Sequence, residues 1–436
     1  MNATTRLNEH LHLGAVHRRV LLLAWGAWFT GFYTLMLLSF VLPQVQAEFR
    51  LSERALAWMT GIAVGASGAG GFLFGWMSDR WGRRASLGVA IAAFSAGNLL
   101  AALSPGALAL ICARALTGLG VGGTWGAGQA MVGETFPPAR RGRYGAVAQS
   151  GAPCGLGAAA AIGSFLAPVI GWRTTFLLSV APAAALAFLR AFPESDLWLE
   201  HRRHLRDGTL ARAEREAARR PILAQLVGRD LRGRFAGAFL LTILNMSAYW
   251  FAVIWLPRYL QVQRGLSVFG SGWWTLTFVA GSLLGYLTFG AVSDAIGRRR
   301  AFTLYCAVTA AGLAVVTIFW EAFQTEPAVA LGSLFVAGVG TGTWSCFGAY
   351  FTELFPTRVR GAALAVIMNA SRGVQFVAPM LIAAIGERWG LGGGVALAAG
   401  FAALAGLWVW TLPETRGARI DAGEERVVAA APEGRA

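Results

Sequence analysis

Arg372 lies near the middle of an apolar stretch, 362–385, where a charge is unexpected. A charge at the centre of a membrane-spanning helix costs about 3 kcal/mol or more, so Arg372 is expected to face protein and not lipid. Asn369 and Gln375 lie three residues on either side of it, on roughly the same face of a helix. The planar guanidinium can bind a carboxylate through two parallel hydrogen bonds. The three residues therefore predict a polar stripe that binds an anion. An arginine held by the carbonyl groups of a neighbouring helix is the alternative.

Arg114 is the second arginine inside an apolar stretch, 107–132. Gly118 and Gly122 follow it at four-residue intervals, and small residues with this spacing allow membrane helices to pack closely. We expect Arg114 to have a fixed structural or coupling role, with contact to a solute as the alternative.

The elements that must position these residues are twelve apolar stretches of roughly 20 residues, the length that spans a bilayer. The chain is 56% hydrophobic and 14% charged, whereas a soluble domain has about 25% charged residues. These features predict an all-α membrane protein with twelve transmembrane helices in two six-helix bundles. The predicted segments are a tail, 1–19, a bundle, 20–192, a hydrophilic linker, 193–234, a second bundle, 235–412, and a tail, 413–436.

The arginines predict the orientation in the membrane. All 37 basic residues are arginine, and the net charge is +15. With a cytoplasmic amino terminus, most of them fall on the cytoplasmic side, which the positive-inside rule favours. The exceptions are Arg114 and Arg372 within spans, and Arg50, Arg54, Arg173, Arg258, Arg264 and Arg388 on the outer side. Both termini are therefore predicted to be cytoplasmic, in a bacterial inner membrane. The same distribution explains the high positive net charge without a nucleic-acid partner, and the lipid bilayer is the expected partner. We expect the protein to function as a monomer.

Other polar residues within the apolar stretches are candidates for contact with a solute. Thr30 and Tyr33 share a face of the first predicted helix, Asn245 and Tyr249 share a face of the seventh, and Gln149 lies in the fifth. Each of them is equally able to form a hydrogen bond between helices.

Several kinds of chemistry are missing from the sequence. No aspartate, glutamate or histidine falls in the middle of a predicted span, and there is no lysine. An intramembrane hydrolase needs a nucleophile with histidine or paired aspartates, and a nucleotide-binding P-loop needs lysine. The cysteines are scattered singly, which predicts neither a metal site nor a cofactor. The sequence therefore argues against an enzyme and against ATP-driven transport by this chain alone.

Three charged motifs occur twice in the chain at nearly one offset. They are Asp79 and Asp294, Glu134 and Glu353, and Glu194 and Glu414, which are 215, 219 and 220 residues apart. Three matches in the same order predict that the two halves are parallel repeats. In transporters built this way, the solute site lies between the halves near the middle of the membrane.

Segments 75–84 and 290–300 resemble the loop motif of the major facilitator superfamily, and Arg114 with its glycines resembles the fourth-helix motif of that family. The resemblance covers roughly 20–415 and implies the two-bundle, twelve-helix fold. Segments 255–260 and 360–372 are similar to bacterial organic-acid symporters, and segment 193–199 is similar to sugar porters.

The family resemblance also implies a cytoplasmic gate. Asp79 and its neighbouring arginines would brace the end of a helix from the other half. We further expect Gly75 and Gly82 to allow close approach of helices and a tight turn. The residues assigned to this gate are Gly75, Asp79, Arg80, Gly82, Arg83, Glu134, Arg141, Asp294, Arg298, Glu353 and Arg360.

The resemblance implies a secondary transporter for a small organic anion, a mono- or aromatic carboxylate, working by alternating access. Proton-coupled members usually carry acidic residues in the first and fourth helices, where this chain has Thr30, Tyr33 and Thr124. Symport with H+, uniport and exchange therefore remain open. A neutral sugar or polyol facilitator and a drug exporter of the same fold are the alternatives.

Overall fold

The computed structural model describes residues 14–136, 141–181, 184, 194, 198–200, 202–203, 207, 226–323, 326–355 and 357–416. Within these residues, ten helical segments are long and apolar enough to cross a membrane. The predicted sixth span lies mostly outside the described residues. The last of the ten segments, Ala363–Thr411, covers two predicted spans and contains a break at Gly390, where φ is 70° and ψ is 169°.

The described residues 15–178 form six helical elements. They are α1, Ala15–Phe49; α2, Glu53–Trp81; α3, Arg83–Ala102; α4, Ala107–Thr135; α5, which consists of Arg141–Gln149, Gly151–Ala161, the π-helical turn Ile162–Leu166 and Ala167–Ile170; and α6, Trp172–Leu178.

The second half repeats this order. Its elements are α7, Arg232–Val262; α8, Val268–Ile296; α9, Arg298–Thr317; α10, which consists of Pro327–Gly340, the 3₁₀ turn Thr341–Ser345 and Cys346–Leu354; α11, which consists of Thr357–Val374, the 3₁₀ turn Gln375–Val377 and the part of Ala378–Trp408 before Gly390; and α12, the part after Gly390 with the turn Val409–Thr411. A short helix, Trp320–Phe323, lies between α9 and α10.

The second helix of each half, α2 and α8, begins and ends in the same way. Ser52 and Ser267 cap the two helices, and each hydroxyl oxygen accepts a hydrogen bond from the backbone N–H three residues later. Gly82 and Gly297 end them with φ values of 104° and 98°, a region that favours glycine. The predicted tight turn at Gly82 is therefore present, and the same turn occurs in both halves.

A glutamate from the end of each half caps the helix that follows this turn. The Glu194 carboxylate accepts from the backbone N–H of Arg83 at 3.0 Å, and the Glu414 carboxylate accepts from that of Arg298 at 2.8 Å. A helix start has unpaired N–H groups and a positive dipole end, so a carboxylate is stabilised there. The repeated glutamates in the sequence thus form the same helix cap in both halves.

The first half packs closely where glycines of α4 meet the backbone of α2. A Cβ added to Gly118 would lie 2.1 Å from the carbonyl oxygen of Ala63, and one added to Gly122 would lie 2.0 Å from that of Ser67. Gly75 differs, because an added Cβ would have no atom within 4 Å. The predicted close approach is therefore present along α4 and absent at Gly75.

The two halves touch along α2 and α11 and along α5 and α8. A Cβ on Gly68 would lie 2.6 Å from the backbone nitrogen of Gly373, and one on Gly272 would lie 2.4 Å from the Cβ of Ser164. These contacts bring α1 and α4 of the first half close to α11 of the second half, where Arg372 lies.

Candidate solute-binding site

Arg372 is a buried cation between the halves. It is 3% exposed, and its guanidinium makes no hydrogen bond or ion pair with any side chain or backbone group that the structure describes. Its guanidinium carbon lies 5.6 Å from the ring centre of Trp28 on α1 and 6.0 Å from that of Trp125 on α4. Indole rings attract a cation through their π electrons, but they leave its N–H donors unsatisfied.

Arg114 is equally buried, at 1% exposed, but both of its terminal nitrogens are paired, and only its Nε has no partner among the described residues. Its two terminal nitrogens donate to the carbonyl oxygens of Thr34 and Leu35 on α1, each at 3.0 Å. Its guanidinium carbon lies 5.6 Å from the ring centre of Phe176. This geometry fits the structural role expected for Arg114, and it contrasts with that of Arg372.

The residues around Arg372 do not form the single stripe that their spacing predicts. Each three-residue step offsets a side chain by about 60° around the helix. The side chains of Asn369, Arg372 and Gln375 therefore point in different directions. Gln375 points to α7 of its own half, where its amide accepts from the Ser247 hydroxyl at 3.2 Å and donates to the Ile243 carbonyl at 3.4 Å. Asn369 packs on α2, where its Oδ1 lies 1.9 Å from the place of a Cβ on Gly71.

Gln149 is a neighbour of this site through Trp125. The indole Nε1 of Trp125 donates to the Gln149 Oε1 at 2.8 Å, and Gln129 also donates to that oxygen, at 3.5 Å. The side-chain oxygen of Gln149 is thus engaged, and it holds the ring that lies beside Arg372.

Thr30 and Tyr33 make hydrogen bonds within the first half. The Thr30 hydroxyl donates to the Gly26 carbonyl at 2.8 Å, and the Ser179 hydroxyl donates to that of Tyr33 at 3.2 Å. The Tyr33 bond matches the interhelical alternative that the sequence leaves open, whereas the Thr30 bond stays within its own helix.

Asn245 and Tyr249 line a small cavity inside the second half, together with Trp344. The Thr343 hydroxyl donates to the Asn245 Oδ1 at 3.0 Å, while the buried Nδ2 has no partner among the described residues. The Tyr249 ring lies 5.3 Å from that of Trp344 and 6.2 Å from that of Phe32 on α1. An aromatic cluster therefore extends from α1 into the second half.

Trp28, Trp125 and Trp344 are not among the candidates that the sequence pattern predicts. Tryptophan is enriched at both membrane interfaces. A high tryptophan content therefore does not indicate which tryptophans lie near the centre of the membrane. The available signal was position, because Trp28 and Trp125 lie within predicted spans and not at their ends.

The predicted gate residues form two matching clusters. Arg83 pairs with Glu134 and with Asp79, both at 2.9 Å, and Arg298 pairs with Glu353, at 2.9 Å, and with Asp294. Each cluster lies within one half. The Asp79 carboxylate is 81% exposed, and its only ion pair in the described residues is with Arg83. Among the described side chains, Asp79 therefore makes no ion pair with the other half, and the brace stays a prediction.

Two other predicted gate residues contact groups close to them in the chain, and a third has a side chain that the structure does not describe. The Arg80 guanidinium lies 5.9 Å from the Trp76 ring, and the Arg360 Nε donates to the Phe355 carbonyl at 3.2 Å. The side chain of Arg141 lies outside the described part of the structure.

Two similar bundles of apolar helices, with a buried and unpaired cation where they meet, describe a multi-pass membrane transporter. The family model "Major Facilitator Superfamily" matches residues 23–272 and 238–433, so the chain belongs to that superfamily. The resemblance noted in the sequence motifs is thereby confirmed.

Known proteins similar to this chain include two bacterial transporters. The chain is 28% identical over 404 residues to the "Probable 4-methylmuconolactone transporter" of Cupriavidus pinatubonensis, covering 91% of this chain and 90% of that protein. It is 26% identical over 366 residues to the "Cis,cis-muconate transport protein" of Acinetobacter baylyi, covering 82% and 85%. Among solved structures, a D-xylose-proton symporter superposes with a TM-score of 0.72 at 21% identity, covering 92% of this chain and 99% of that one. This last likeness concerns the fold alone.

Proposed function

We propose that the protein is a secondary transporter that moves a small organic anion, a mono- or aromatic carboxylate, by alternating access between its two halves. One observation carries this proposal. Of two arginines buried to the same degree, Arg114 has its terminal nitrogens satisfied by backbone carbonyls, whereas Arg372 has no hydrogen-bond partner in the described part of the chain. A buried cation without a partner is costly, and an anionic solute would supply the missing partner.

The surroundings of Arg372 favour a planar carboxylate. A guanidinium fork binds a carboxylate through two parallel hydrogen bonds. The indole rings of Trp28 and Trp125 offer flat apolar surfaces 5.6 and 6.0 Å from the guanidinium carbon. Aromatic surfaces of this kind favour offset or edge-to-face contact with another ring.

The site joins the two halves, as alternating access requires. Arg372 belongs to α11 of the second half, whereas Trp28 and Trp125 belong to α1 and α4 of the first half. A solute held between them would change its contacts when the halves rock. Binding energy would thereby be coupled to conformation.

The similar proteins support a carboxylate, because one of them is named for transport of muconate. The D-xylose-proton symporter has the same fold, so a neutral sugar remains the alternative substrate. What those proteins carry is a property of those proteins, and for this chain the substrate class rests on Arg372.

We propose the membrane arrangement that the arginine distribution favours. It has twelve spans in two bundles, 20–192 and 235–412, with both termini on the cytoplasmic side of a bacterial inner membrane. The end of the bundles that carries Asp79 then faces the cytoplasm, and the end that carries Glu53 faces outward. Reactivity of single cysteines introduced beside Asp79 and beside Glu53, in intact cells and in everted vesicles, tests this arrangement.

Coupling to H+ would use the solute in this proposal, because no acidic residue or histidine falls in the middle of a span. The proton would travel on the solute itself, which would cross as the neutral acid R–COOH, with its carbonyl oxygen accepting from Arg372, and would release the proton as R–COO⁻ on the other side. Uptake into vesicles then rises with an inward pH gradient and falls with a protonophore. Uptake that ignores both treatments indicates uniport or exchange.

A binding experiment tests the substrate class directly. The purified protein is tested for thermal stabilisation by benzoate, by its neutral isostere benzamide and by D-xylose. Stabilisation by benzoate or another carboxylate of a panel, lost in Arg372→Gln and retained in Arg372→Lys at reduced strength, supports the proposal. Stabilisation by the neutral sugar in both wild type and Arg372→Gln would overturn it and favour the sugar facilitator.

A further inference from the structure

Polar contacts join the two halves at the Glu53 end of the bundles. Arg258, near the end of α7, forms a two-point ion pair with Glu53 at the start of α2, with its Nε 3.1 Å from Oε2. A terminal nitrogen of Arg258 also donates to the Oε1 of Gln46 on α1 at 2.7 Å. Gln46 in turn donates to the Glu53 carboxylate at 3.3 Å, so the three side chains form one closed set.

Arg258 is far better shielded from solvent than either member of a second ion pair at the same end, although its partner Glu53 is 44% exposed. The Arg258 side chain is 5% exposed, whereas Arg54 and Glu387, which also join the two halves, are 77% and 53% exposed. Exposed pairs contribute about 0–1 kcal/mol. A pair with a buried member loses considerably more when one partner is removed.

The opposite end of the molecule has no equivalent in the described residues. The ion pairs of Arg83 stay within the first half, and those of Arg298 stay within the second half. Described ion pairs between the halves therefore occur at the Glu53 end only.

A narrow space lies directly below the Arg258 set. Ser39 of α1, Val64 of α2 and Ile254 of α7 line it, and Arg114 borders it. Ile254 lies one helical turn below Arg258, and Ser39 lies seven residues before Gln46, about 10 Å further in along the helix. Opening of the Glu53 end would expose Ser39, which is 3% exposed here.

We propose that Arg258, Glu53 and Gln46 form a latch that holds the Glu53 end of the transporter closed. The inference rests on the proposed alternating-access function, but it does not depend on which solute is carried. In the conformation described, the latch is shut. Breaking it shifts the population toward the state that is open at this end.

Labelling of one introduced cysteine tests the latch. The four native cysteines are replaced by alanine, Ser39→Cys is added, and the rate of reaction with a membrane-impermeant maleimide is measured in intact cells and in everted vesicles. Arg258→Gln is expected to raise the rate about tenfold on the side that the Glu53 end faces, within the usual range for coupling between a contact and a conformational equilibrium. Glu53→Gln removes the same pair from its more exposed member and gives a similar rise.

Arg173→Gln is the matched control. Arg173 pairs with Glu48 at the same end of the molecule, but both residues belong to the first half. Its loss should leave the labelling rate unchanged, and Arg54→Gln should raise the rate by less than Arg258→Gln does. The exchange of charges in Arg258→Glu with Glu53→Arg should return the rate toward that of the parent.

The latch is overturned if neither Arg258→Gln nor Glu53→Gln labels faster than Arg173→Gln on either side of the membrane. The solute proposal is judged separately, by stabilisation with benzoate. Fast labelling of the latch variants, together with no carboxylate binding by wild type, would reject the substrate class and leave the latch in place.

Discussion

Arg372 and Arg114 should respond in opposite ways when each is replaced by methionine. Methionine is long, flexible and apolar, so it fills much of the volume of arginine without its charge. Arg114→Met removes two hydrogen bonds from a charged donor to the carbonyls of Thr34 and Leu35. Arg372→Met removes a charge that has no hydrogen-bond partner in the described residues.

The magnitudes follow from these contacts. Hydrogen bonds to charged groups contribute about 1.5–3 kcal/mol each, so Arg114→Met should lower the free energy of unfolding by about 3 kcal/mol or more. At Arg372, the loss of attraction to the rings of Trp28 and Trp125 costs about 1–2 kcal/mol. Release of an unpaired buried charge offsets this loss by several kcal/mol. Arg372→Met should therefore leave the solute-free protein as stable as wild type, or more stable.

Thermal unfolding in one detergent, with and without a stabilising carboxylate, measures both effects. Arg114→Met should unfold at a lower temperature than wild type and should still respond to the carboxylate. Arg372→Met should unfold at the wild-type temperature or above it and should no longer respond. Equal destabilisation by the two substitutions would refute the distinction between a structural and a solute-binding arginine.

Three further predictions concern the ends and contacts of the bundles. Glu134→Gln should lower stability by about 1–3 kcal/mol, because Glu134 pairs with Arg83 in a shielded site. Asp79→Asn, at an exposed pair, should cost less than about 1 kcal/mol in the same denaturation experiment. Gly71→Ala should disrupt the packing of α2 on α11 and lower the yield of folded protein, whereas Gly75→Ala should raise stability by up to about 1 kcal/mol through helix propensity. Burial raises the pKa of Glu414, but backbone N–H groups outweigh this and hold it below its usual 4.5. The stability that Glu414 contributes is present above that pH and is lost as the pH falls through the lowered pKa, so the unfolding curves of wild type and Glu414→Gln should converge in acid.

The sequence predicts the features that are local or repeated. The charged turns after α2 and α8 occur where two apolar helices must be joined, and the pairs Asp79–Arg83 and Asp294–Arg298, at i,i+4, follow from local spacing. Burial of Arg372 follows from the cost of a charge in lipid.

Features that depend on docking of the two halves could not be predicted. Trp28 and Trp125 lie beside Arg372 only because α1 and α4 meet α11 across the interface. Gln375 points away from Arg372 because Ser247 of α7 lies within reach of its amide. Arg258 has no sequence feature that separates it from a surface arginine, since its partner is 205 residues away.

The two capping glutamates have a consequence for how such a protein can be cut and rejoined. Glu194 ties the last part of the first half to its own α3, and Glu414 does the same for α9 of the second half. Each half therefore has a contact between its carboxyl-terminal end and the start of its own third helix. A cut in the chain between 207 and 226 would leave both glutamate contacts intact. The two pieces, expressed together in one cell, should therefore assemble into an active carrier.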